Sequence, residues 1–151
     1  MTDWKTDLSD LFKSEKEITE AQKQKAESDA AARAVRKQEA ASFFSEVVEP
    51  AFNELAVELK KHERKVSITG SDVSRVMEIR FQDKPEFEYM VEVSISTTSV
   101  VPVSRYVSKN KYGKKFQIPG YIKDNPVSDV SKPDIINDFL RTCVRSRISH
   151  V

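Results

Sequence analysis

Residues 1–49 contain neither glycine nor proline, and the first glycine is Gly70. Eight of the ten alanines fall between Ala21 and Ala41, set among Glu, Lys, Gln and Arg. These are strong helix formers with nothing between them to stop a helix. At about 1.5 Å per residue, Lys13 to Glu49 would reach on the order of 55 Å. A small domain is narrower than that, so the helix must project from whatever folds behind it.

The apolar pattern changes along this helix. Trp4, Leu8, Leu11 and Phe12 make a short cluster near its start, with Thr2 or Asp3 as its cap. From Lys13 to Gln38 only Ile18, Val35 and the alanines are apolar. Leu8, Leu11 and Ile18 open an a/d seam, but it fails at Lys25 and Asp29, and a coiled coil needs a longer repeat. Phe43, Phe44, Val47, Val48, Ala51, Phe52, Leu55, Ala56 and Leu59 then recur at three- and four-residue steps, the stripe of a core helix. Pro50 inside that stripe predicts a kink or a fresh helix start. Lys60, Lys61, His62, Arg64 and Lys65 close it, where positive charge suits the helix dipole.

Beyond Lys65 the period becomes two. Val66 and Ile68 form a short first strand ending at Gly70-Ser71-Asp72. Val73, Met77, Ile79 and Phe81 form a second, with a turn at Gln82-Asp83-Lys84-Pro85. Phe87, Tyr89, Val91, Val93 and Ile95 alternate with Glu88, Met90, Glu92, Ser94 and Ser96 in a third, which needs one buried and one wet face. A fourth covers Val100–Val107, where Pro102 calls for an edge or a bulge. Asn110-Lys111-Tyr112-Gly113 is a hairpin tip, and Lys114–Ile118 returns as a fifth strand. Ser131-Lys132-Pro133-Asp134 announces a last helix, with a Ser cap, an acid three residues on and Pro in the first turn. Its apolar stripe is Ile135, Ile136, Phe139, Leu140, Cys143, Val144 and Ile148. The fold class is therefore α+β: a long N-terminal helix, an antiparallel β-meander of four to five strands and a closing C-terminal helix, packed in two layers. Residues 1–40 form an extended charged helical arm and residues 41–151 the α+β domain. Strand order stays open, because the first strand can lie at either side.

The chemistry-bearing residues are sparse. Three glycines cannot build a P-loop or a dinucleotide fingerprint. One cysteine with His62 and His150 makes no zinc cluster, and no cofactor or metal is expected. Both histidines read as solvated and Cys143 as a small buried hydrophobe. Glu78, Glu88 and Glu92 gather on the polar face beside Arg80, where cross-strand ion pairs account for them as well as acid–base work would. The balance leans away from an enzyme. No apolar run nears the roughly 18 residues of a membrane-spanning helix, and the acidic N-terminus lacks a secretory layout. The expectation is a cytoplasmic protein without a membrane partner.

Charge divides the chain. Residues 1–60 carry 9 basic and 13 acidic side chains, a net of −4; residues 61–151 carry 16 and 11, a net of +5. Three readings follow. In the first, Trp4, Leu8, Leu11 and Phe12 dock the arm onto a protein partner, another copy included, whose acidic and basic halves attract. In the second, a basic aromatic hairpin of Lys109, Lys111, Tyr112, Lys114 and Lys115, joined by Arg141 and Arg145, binds nucleic acid or another anion. A ligand pocket lined by Tyr89, Tyr106 and Tyr121 is the third.

Overall fold

A computed structural model describes residues 3–109, 113–122 and 125–149, with side chains through 146 in the last helix. Helix α1 spans Trp4–Phe43, a π-helical turn spans Phe44–Val48, and α2 spans Glu49–Lys61. Pro50 thus marks a fresh helix start, as expected, and the chain reaches it through a widened turn. Proline has no N–H to donate and crowds the turn before it. Here the Glu49 N–H reaches back five residues to the Phe44 carbonyl, and Pro50 takes a first-turn position of α2.

Strands β1 (Arg64–Ser71), β2 (Ser74–Phe81), β3 (Lys84–Ile95), β4 (Val100–Lys109) and β5 (Lys115–Pro119) form one antiparallel meander in chain order. That settles the open strand order. Val73 belongs to the β1–β2 turn rather than to β2, and it is exposed. The β2–β3 turn is only two residues, Gln82 and Asp83, both with positive φ (53° and 63°), the twist a tight hairpin demands. Pro85 therefore sits inside β3. It is tolerated because the register slips there: Ile79 faces Phe87 but Arg80 faces Pro85, leaving Glu86 as an extra residue. Pro102 faces Val93 of β3 at a level β5 does not reach, so β4 is locally an edge.

Phe87, Tyr89, Val91 and Val93 of β3 and Met77 and Ile79 of β2 turn to one face and are buried. Ala40, Phe43, Phe44, Val48, Ala51, Phe52 and Leu55 cover them from the helical side. Arg75 bonds the two layers: its Nε lies 3.0 Å from Glu49 and its guanidinium 4.7 Å from the Phe44 ring centre. Helix α3 (Lys132–Ser149) completes the helical layer. Its start matches the sequence signal, the Asp134 carboxylate accepting from Ser131 N at 2.9 Å and Ser131 Oγ at 3.0 Å. Lys132 reaches Glu54 of α2 at 2.7 Å.

Candidate functional site

The arm begins at Asp3, whose side chain accepts from Lys5 N at 3.1 Å and caps α1. Every residue from Asp3 to Ser28 is exposed. Burial starts beyond, partial at Asp29, Ala32, Arg36 and Glu39 and complete at Ala40, which recur on one face. The large apolar side chains of the arm meet nothing that buries them: Trp4 is 67% exposed, Leu11 61%, Phe12 58% and Leu8 45%. At 100° per residue they form one row, and Asp3, Asp7 and Asp10, each one residue before an apolar member, form an acidic row beside it. The structure brings the four predicted docking residues together on one helical surface.

The basic hairpin is less uniform. Lys111 and Tyr112 lie outside the described residues. Lys109, Lys114 and Lys115 are exposed, and Lys109 faces Lys115 directly across β4 and β5. Glu78, Glu86 and Glu88 line the same shallow hollow as Lys109 and Lys115, so the base of the hairpin is of mixed sign. Arg141 lies 5.6 Å from the Tyr121 ring centre. Arg141, Arg145, Tyr121, Leu140 and Val144 together line an open hollow of about 460 Å³ on α3.

That placement differs from the expected stripe of the last helix. Leu140 and Val144 are half exposed, whereas Asp138, Thr142 and Ser146, at four-residue steps, are buried with Ile135 and Phe139. The opposing strand β4 presents Ser104, Tyr106 and Ser108, so a polar seam runs beneath α3. Ile148 lies outside the described side chains. At the centre of the seam the Asp138 carboxylate accepts from the Tyr89 hydroxyl and, at 2.5 Å, from the Tyr121 backbone N–H. Thr142 Oγ1 donates to the Phe139 carbonyl at 2.9 Å. Sequence reasoning missed this seam. Its trace was Ser104 and Ser108 at core-facing positions of β4, matched by polar residues spaced four apart on α3.

Burial, then the neighbouring Asp138 charge, holds Tyr89 well above the usual tyrosine range, and burial raises Tyr106 as well. An acid whose folded-state pKa is raised stabilises the fold at lower pH. As pH rises past the ordinary tyrosine value near 10, the unfolded chain sheds a proton that the folded chain keeps. Stability should therefore fall above pH ~10 by about 1.4 kcal/mol per pH unit from Tyr89 alone, more steeply with Tyr106. Urea melts between pH 8 and 11.5 test this, and Tyr106→Phe should flatten the slope. A slope unchanged across pH 10 would show that the seam admits the ionised ring.

The remaining candidates are structurally occupied. Glu78 faces Glu88 across β2–β3, Arg80 lies 3.3 Å from Glu78, and Arg105 lies 2.6 Å from Glu92. No group of three metal-binding side chains assembles among the described residues. Cys143 is partly buried against the core, and His62, at the end of α2, is exposed. Tyr89 and Tyr106 are core residues while Tyr121 is half exposed. Among the described residues no helix is long and apolar enough to cross a membrane. No protein-family model matches the chain, and no curated protein or solved structure matches it significantly.

Proposed function

We propose that this chain is a non-enzymatic interaction module that self-associates or docks onto a larger assembly through its N-terminal arm, with the α+β domain as the body the arm is mounted on. One observation carries the reading: a helix exposed from Asp3 to Ser28 ends in four large apolar side chains that the chain itself does not bury. Fully burying four such groups releases on the order of 6–12 kcal/mol before the costs of association. A helix polar on most of its surface is also marginal alone and gains from a partner. The nucleic-acid reading is weaker, because three glutamates line the hollow that Lys109 and Lys115 share.

Light scattering on a sizing column tests the proposal, with wild type set against a variant carrying Trp4→Ala, Leu8→Ala, Leu11→Ala and Phe12→Ala. Alanine keeps the arm helical while removing its apolar row. Wild type is expected at a multiple of 17.2 kDa, or as a monomer that retains a protein partner, and the variant as a partnerless monomer. Equal masses and equal partner recovery for both would overturn the reading. Binding to RNA or DNA that weakens steeply with salt would move the function to the hairpin instead.

A further inference from the structure

We infer that the arm's seat is helix α3 of a second copy of this chain, with the Trp4–Phe12 row lying over Leu140 and Val144 and the aspartate row facing Arg141 and Arg145. This rests on the self-association reading above and names its partner surface. Three observations converge on it.

First, the two surfaces are complementary in kind. The arm offers an apolar row flanked by Asp3, Asp7 and Asp10, and α3 offers Leu140 and Val144, 50% and 58% exposed, flanked by Arg141 and Arg145. Such an arrangement favours the right partner and penalises like-charged ones.

Second, the rows have a matching hand. On the arm each aspartate precedes an apolar residue by one position; on α3 each arginine follows one. In a parallel pair of helices the charged row before the seam on one helix meets the row after the seam on the other, as e and g positions do in coiled coils. The arm is therefore expected to lie parallel to α3, with Asp7 and Asp10 against Arg141 and Arg145.

Third, the arm cannot reach this seat on its own copy. Helix α1 is unbroken from Trp4 to Phe43, which places Trp4 about 54 Å of axial rise from buried Ala40. A domain of this size is only about 35 Å across. Another copy's α3 meets no such limit, and a two-fold dimer would satisfy both arms at once.

The test is a reciprocal charge swap in the full chain. One variant carries Asp7→Arg and Asp10→Arg, with the capping Asp3 left intact; the other carries Arg141→Glu and Arg145→Glu. Each alone now opposes like charges in its own homodimer, whereas an equimolar mixture restores both contacts in the heterodimer. By sedimentation at low salt, each variant alone should self-associate at least about tenfold more weakly than wild type, and the mixture should regain wild-type association to within about threefold. Circular dichroism checks that both variants fold. If Arg141→Glu/Arg145→Glu does not fold, Leu140→Ser/Val144→Ser replaces it, and wild-type association by that variant overturns the seat. If wild type associates and the arm-alanine variant does not, but neither swap has an effect, the arm docks and this seat is wrong. A monomeric wild type that recovers a foreign partner through its arm overturns the seat and leaves the interaction reading intact. A monomer with no arm-dependent partner defeats both.

Discussion

Asp138→Ala is expected to cost about 2–4 kcal/mol of folding stability, because each buried donor left without its acceptor costs about 1–3 kcal/mol. The substitution strips the Tyr89 hydroxyl and the Tyr121 N–H of their shared acceptor in one step, and Tyr89 is fully buried. Tyr89→Phe, which removes a single donor and leaves Asp138 bonded to Tyr121, should cost about 1–2 kcal/mol. Urea denaturation of the two variants gives the comparison. A loss below about 1 kcal/mol for Asp138→Ala would mean that solvent enters the seam and satisfies these groups.

The second large effect concerns Gly120, which follows β5. Its N–H donates to the Ser104 carbonyl at 2.9 Å, holding the backbone against β4. A Cβ there would overlap Ser104 Oγ and lie 2.8 Å from Ser104 Cβ and 2.9 Å from an Asp138 oxygen. None of these neighbours is the end of a long flexible chain. Gly120→Ala should therefore cost about 3 kcal/mol, the upper end of ordinary overpacking, and lower the melting temperature by about 6–12 °C. Adding Ser104→Ala removes the worst overlap and should recover part of that loss. A melting temperature within about 2 °C of wild type would show that the Gly120 segment lifts off the sheet without consequence.

These two residues also mark where the sequence stops being legible. The sheet can be read because Phe87 to Ile95 place an apolar residue at every second position, the period of a strand and not of a helix. The arm can be read because helix formers run uninterrupted from Lys13 to Glu49. The last helix cannot, because on it hydrophobicity is a false sign of burial. Leu140 and Val144 are apolar and wet, while Asp138, Thr142 and Ser146 are polar and buried. What decides between the two faces is the surface opposite, and β4 presents Ser104 and Ser108 at the core level. A hydroxyl facing a strand of hydroxyls and tyrosines is at home in a way no single-helix pattern reveals. The arm's four apolar residues are legible as a cluster, but on sequence grounds the arginines proposed to match them group with the basic hairpin. Only the folded chain shows that Arg141 and Arg145 flank exposed apolar residues.

The widened turn at Phe44–Val48 has a bearing on which way the arm looks. Counted at 100° per residue, the domain-facing positions of α1 (Arg36, Ala40 and Phe43 among them) and those of α2 (Ala51, Phe52, Leu55) are out of phase by about one residue. The turn takes up that surplus residue, so both stretches present their inner side to the same sheet. It works as an indexing step in a shaft. The bearing of Trp4, Leu8 and Leu11 relative to the domain is set there, although Trp4 lies 40 residues before the turn begins at Phe44. A chain one residue shorter at that point would carry the same arm pointed about 100° away.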